Sequence, residues 1–269
     1  MTVKSAATGI ITISALAGNA AYYTLPTTNL KLWLDANVAG SITSSAGKVS
    51  QWNDQSGQAN HFVQATSAYQ PSTGVATING KNAIQFNNGS TSHKMASNAA
   101  ASVWTFMSNA TGCTVFTVGR YANAGIEGFI LSTFDGSTST SGYAHIFTTN
   151  SYAITFNGGT SALSVVNNAG VAPGVTNPFM YTSVNDPSNA TASARNKIYF
   201  NSNSVIQNNT LTAATGTSTP QTTLTIGNVG ITNSPYVGTL GEIIVYSGQL
   251  STSDISGIHT YLKAKWGTP

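Results

Sequence analysis

Residues 30–35 read LKLWLD and residues 75–86 read VATINGKNAIQF. In the first stretch Leu30, Leu32 and Leu34 alternate with Lys31, Trp33 and Asp35, the two-residue period of a strand with one buried face. In the second, Asn79-Gly80 separates two strand-like runs. A tight hairpin turn asks for positive φ at both central positions, and Asn followed by Gly meets that demand at least steric cost. Working outward, further strands are predicted at 113–120 (CTVFTVGR), 128–133, 143–149, 152–156, 178–184, 196–200, 222–227 (TTLTIG) and 239–247 (TLGEIIVYS). Gly, Asn, Ser or Pro stands between them, and most recur every 10 to 20 residues. Such spacing belongs to a sandwich or jelly roll rather than to βαβ units. The chain is therefore expected to be all-β, a two-sheet antiparallel sandwich.

One helix breaks the pattern. Ser251-Thr252-Ser253-Asp254 fits a capping box, in which hydroxyl and carboxylate satisfy the free amides of a helix start. Ile255, Ile258, Leu262 and Trp266 then form a stripe at helical spacing, and Gly267 stands where a C-cap belongs. Lys263 and Lys265 fall in the last turn, where the helix dipole favours cations. A short amphipathic helix lying on the sheet is expected.

Composition excludes several function classes. Of 269 residues, ten are Lys or Arg and seven Asp or Glu, 6% in all, against roughly 25% in an ordinary soluble protein. A net charge of +3 with no basic cluster is too thin for a nucleic-acid footprint, so no nucleic acid is expected as partner. No apolar run is long enough to span a membrane as a helix. The single cysteine, Cys113, rules out an internal disulfide and reads as a small buried hydrophobe. Residues 1–28 carry only Lys4 as a charged side chain and offer Ile10, Ile11, Ile13 and Leu16. They are expected to be an N-terminal assembly arm, with the globular domain over 29–269.

Two stretches go further. LWLDA (32–36) with V-x-x-W-x-D-Q-S-G-x-x-N (49–60) near the start, and G-E-I-x-V-Y (241–246) with Y-L-x-x-K-W-G (261–267) at the end, resemble the laminin-G-like, concanavalin A-like jelly-roll domains of bacterial secreted proteins and phage structural proteins. The resemblance runs from Leu30 to Gly267. It implies two curved antiparallel sheets packed face to face, and a function among sugar binding, protein binding and purely structural roles.

Read physically, those motifs are structural. Trp33, Trp52 and Trp266 are expected in the core, Asp54 as the organiser of a turn through local amides, and Glu242 as a buried, hydrogen-bonded acid. A calcium site at Asp35 and Asp54 would want more carboxylates than are near, so no metal and no cofactor is expected. His61, His93, His145 and His259 lack zinc spacing and are expected at the surface. Hydrolysis of glycosides needs a pair of carboxylates, yet Glu127 and Glu242 are the only glutamates and neither has an acidic neighbour. The protein is expected not to be an enzyme.

Sugar recognition asks for aromatic faces beside amides and hydroxyls, which Tyr121, Asn123, Tyr143, His145, Tyr152 and Asn157 would supply. The function expected first is a non-enzymatic structural protein of a phage virion: a capsid decoration, head-fibre or tail-associated protein. It would bind other virion proteins or further copies of itself through the arm, since few charges weaken colloidal repulsion. The alternative is a carbohydrate- or receptor-binding module of a secreted or phage tail protein, extracellular where secreted, with a cell-surface glycan as partner.

Overall fold

A computed structural model describes residues 23–86, 92–122, 128–135, 142–148, 177–201, 219–229 and 234–269, and the backbone of 5–6, 10–11, 151–157 and 207–209. Strands β1 (Ser5–Ala6) and β2 (Ile10–Ile11) form a short antiparallel ladder of their own. The domain begins with β3 (Leu30–Asp35), β4 (Ile42–Ser45), β5 (Lys48–Trp52) and β6 (Phe62–Val63). The hairpin β7 (Ser72–Ile78) and β8 (Lys81–Phe86) and the short β9 (Met95–Ser97) follow. Then come β10 (Cys113–Tyr121), β11 (Gly128–Ser132), β12 (Gly142–Thr148), β13 (Ser151–Asn157) and β14 (Phe179–Asn185). The last strands are β15 (Asn196–Phe200), β16 (Gln207–Asn209), β17 (Thr225–Ile226) and β18 (Gly238–Ser247), before helix α1 (Thr252–Trp266).

All ladders between these strands are antiparallel. One layer runs β8/β3–β18–β10–β14–β15–β16, with β18 giving its first residues to β8 and its last to β3. The other runs β13–β12–β11–β17–β9–β6–β5, and β4 also pairs with β5. The β7–β8 hairpin joins the layers, because β7 touches β5 while β8 pairs with β18. Its turn is as expected, with Asn79 at φ 49° and Gly80 at φ 70°.

Between the layers lies the main core. Trp52, Phe62, Met95, Leu131 and Phe147 enter it from one side, and Leu32, Leu34, Val115, Tyr181, Ile243 and Val245 from the other. A second core covers the outer face of the β18 layer, where Trp33, Phe116, Val118, Ile244 and Tyr246 meet Ile255, Ile258, Leu262 and Trp266 of α1. Trp33, Trp52 and Trp266 are all buried. The α1 caps are those expected: the Ser251 hydroxyl accepts from the Asp254 amide (3.1 Å), and Gly267 closes the helix in the left-handed conformation. Gly257 interrupts the helix face because the Tyr23 ring lies against it, where a Cβ would come within 2.0 Å.

Three expectations change. β3 is buried on both faces, since α1 covers the side that an open sandwich would leave wet. The strand expected at 222–227 shrinks to Thr225–Ile226, its start held instead as a loop in which the Gln221 and Thr222 amides both reach the Thr133 carbonyl. His93, His145 and His259 are buried rather than at the surface; aromatic rings enclose His259, which bonds Thr182 at 2.9 Å. Of the arm expected over 1–28, Leu25 sits in the α1 core and Tyr246 donates to the Pro26 carbonyl at 3.0 Å. Residues 1–4, 7–9 and 12–22 lie outside the described residues.

Candidate functional site

The motif residues converge on a structural latch. Glu242 on β18 accepts at Oε1 from the Trp33 indole (2.7 Å) and the Tyr261 hydroxyl (2.9 Å), and at Oε2 from the Trp266 indole (2.7 Å) and Lys265 (2.6 Å). Lys265 also bridges to Asp35 and donates to the Tyr261 oxygen at 2.8 Å. Two buried carboxylates share one ammonium. Burial, then the neighbouring Glu242, pushes the Asp35 carboxyl up to about 6 against the pull of Lys265. Burial alone would lower Lys265, but the two carboxylates hold it above its ordinary value. With four donors on its two oxygens, Glu242 is the buried, hydrogen-bonded structural acid expected. Among the described residues no group of three or more His, Cys, Asp or Glu is placed to hold a metal ion.

Of the residues expected to bind sugar, the three whose side chains are described, Tyr121, Tyr143 and His145, lie in the interior. Tyr121 is 1% exposed and stacks on Tyr236 with ring centres 5.5 Å apart. Tyr143 and His145 are both 0% exposed. The Tyr143 hydroxyl meets Ser183 at 2.9 Å, and the His145 ring meets Tyr181 at 3.8 Å between centres. Burial pushes His145 down to about 3, so it stays neutral. The physical reason is the alternation of β12, which turns Tyr143, His145 and Phe147 to the interior together. A ring that faces the core has no face left for a sugar. On β13, Tyr152 pairs with Phe147 and Asn157 with Gly142 along the backbone. Their side chains, and Asn123 altogether, lie outside the described residues.

A concavity that these expectations missed opens elsewhere. An open groove of about 490 Å³ is lined by Lys31, Gln58, Asn60, Ser102, Val103, Phe106, Thr111 and Ser247. Five separate segments supply it: β3, the turn before β6, the 3-10 segment Ala101–Ser108, the turn before β10 and the end of β18. Each wall has an identifiable support. Leu30 pairs with Tyr246 and Leu32 with Val245, so Lys31 is the extra residue of a β-bulge, a device that re-aims a side chain. Asp54 organises the turn as expected: its oxygens accept from the amides of Trp33 (2.9 Å), Ser56 (2.9 Å) and Asn60 (3.0 Å) and from the Ser56 hydroxyl (2.7 Å). Asn60 then donates to the Lys31 carbonyl at 2.9 Å, tying the two walls together.

The groove has both polar and apolar lining. Phe106 and Val103 supply carbon surface, Val103 being 42% exposed. The side chains of Lys31, Gln58, Ser102, Thr111 and Ser247 make no hydrogen bond or ion pair within the described structure. Donors and acceptors in a recess without internal partners are available to a ligand. Asn60 ends the 49–60 motif, but the groove residues come from distant parts of the chain, so nothing in the sequence showed that they meet.

No family model and no curated protein matches the chain. Solved structures do match. A botulinum neurotoxin type C structure, concerned with interaction with two ganglioside molecules, is similar at 15% identity over 87% of this chain and 51% of that one, with a TM-score of 0.55. The binding domain of botulinum neurotoxin DC in complex with rat synaptotagmin II matches at 13% identity, 87% and 52% coverage, and a TM-score of 0.57. A Trypanosoma rangeli sialidase with the inhibitor DANA matches at 13% identity, 88% and 33% coverage, and a TM-score of 0.55. The chain thus spans about half the length of the neurotoxin chains and about a third of the sialidase. At such identities the likeness is one of fold. It defines the class of fold: a two-layer antiparallel jelly roll, here with a C-terminal helix packed on it.

Proposed function

We propose that this chain is a non-catalytic carbohydrate-binding or receptor-binding module, and that the groove between Lys31 and Ser247 is where it holds a glycan. The observation that carries the reading is the set of unpartnered amide, hydroxyl and ammonium groups that line one groove together with Phe106 and Val103. Sugar rings need that combination, polar groups for the hydroxyls and an apolar face for the ring carbons. The neighbouring neurotoxin structures concern ganglioside interaction and a complex with synaptotagmin, which supports binding over a phage virion role. The saturated hydrogen bonding of Glu242 supports a non-catalytic reading even beside a sialidase of similar fold. Laminin-G-like kinship and presentation outside the cell, on a secreted protein or a virion, complete the proposal. A glycan array probed with the wild-type protein and with Ser102→Trp tests it. Ser102 is exposed, so an indole there fills the groove without disturbing the core. Binding by the wild type that the variant loses is the expected result. An array without any hit, or hits that Ser102→Trp retains, would end the reading.

A further inference from the structure

Resting on that reading, we propose that the groove selects acidic sugars, and that the Lys31 ammonium receives the sugar carboxylate. Among the described residues Lys31 is the only charged one that lines the groove, and no carboxylate lines it. That contrast matters more in this chain than in most, because charges of either sign make up 6% of the residues. The ammonium has no internal competitor: among the described residues Lys31 makes no ion pair and no side-chain hydrogen bond. The acid associated with the groove wall is Asp54, below Asn60. Its oxygens are occupied by three backbone amides and a hydroxyl, so its charge is answered locally. An incoming anion therefore finds an unpaired cation rather than a bridge that must first be broken.

The surrounding groups suit a carboxylate better than a cation. A carboxylate has two acceptor oxygens, and the groove offers Lys31 together with the donors of Gln58, Ser102, Thr111 and Ser247. Hydrogen bonds to an ionised group are about twice as strong as neutral ones, and a half-sheltered recess screens them less than open water does. The bulge at Lys31 explains how a lysine inside a strand comes to serve a site at the strand's end. Uronic acids and sialic acids both present this chemistry, and the test distinguishes them.

Calorimetric titrations would compare oligosaccharide pairs that differ only in the carboxylate: a glucuronic-acid oligosaccharide against its glucose counterpart, and sialyllactose against lactose. The wild type is expected to favour the acidic member of at least one pair by about tenfold, and the pair that responds names the source. Added salt should erode that preference. Lys31→Gln should bring the acidic member down to the affinity of its neutral counterpart, and Lys31→Arg should restore the preference. Equal affinity for acidic and neutral members, or a preference that survives Lys31→Gln, overturns the inference. If Ser102→Trp abolishes binding in that case, the glycan-binding reading still stands. If no member of either pair binds and Ser102→Trp changes nothing on the array, both fall.

Discussion

Glu242 is bound by two indoles, a phenol and an ammonium, and its value to the protein is structural. Glu242→Gln would place an amide nitrogen against donors and leave Lys265 with one carboxylate instead of two. Breaking a buried pair of this kind costs about 3–5 kcal/mol, which chemical denaturation should reveal as an earlier midpoint; an unchanged midpoint would mean that the latch is decorative. Wild-type protein is expected to show no turnover of glycosides. Acid titration is also decided by single residues. Burial pushes His145 from an ordinary 6.5 down to about 3, and burial with Lys263 nearby pushes His259 down to about 4. The unfolded chain takes these protons first, so the stability they contribute is complete above pH 6.5 and is lost as pH falls toward 4. Asp35 works oppositely, raised from 3.8 to about 6, so the fold gains from its protonation over that window. The histidine displacements together exceed that of the carboxylate, and the melting temperature is expected to fall as pH drops from 6.5 to 4. His259→Asn, which keeps a partner for Thr182 without a titrating ring, should reduce the loss. These burials were hidden in the sequence: a tyrosine and a histidine beside amides resemble a sugar platform until the alternation with Phe147 shows which way the strand faces.

Helix α1 and the β7–β8 hairpin were legible because their signals are local: caps, a stripe, and Asn-Gly at a turn. What they touch was not. The hairpin's Asn79 donates to the Lys265 carbonyl at 3.1 Å, and Tyr23 lies on the helix at Gly257, contacts between segments far apart in the chain. A second expectation follows at this scale. Gly257→Ala should improve intrinsic helix propensity by about 1 kcal/mol, yet the new methyl meets the Tyr23 ring, and overpacking of this kind costs about 1–3 kcal/mol. The clash is expected to win, so the single variant is destabilised. Tyr23→Ala should turn the same change favourable, and a double-mutant cycle reads the difference. Additive effects would mean that Tyr23 does not rest on the helix.

Over the whole molecule the order of strands decides behaviour that no local motif announces. β3, near one end of the domain, pairs with β18, near the other, and β18 pairs across to β10. The central layer is incomplete until its last strand arrives. Topologies dominated by such distant pairings fold slowly, on the order of milliseconds to seconds or longer, and stopped-flow refolding should show it. Far-UV circular dichroism should be dominated by β-structure, with helix below about a tenth, against a third in an average protein. The sandwich itself was readable from turn spacing. Its groove was not, because five segments meet there only after the sheets have formed.

Cys113 opens β10 at the centre of that layer, fully enclosed, with its thiol pushed up to about 12 by burial. Only a thiolate reacts readily with disulfide reagents, so the native chain should remain unmodified while every unfolded one is marked. The chain has one cysteine, so each mark counts one opening event. The protein therefore carries its own clock: the rate at which it consumes a coloured disulfide reports how often the middle of the sandwich comes apart.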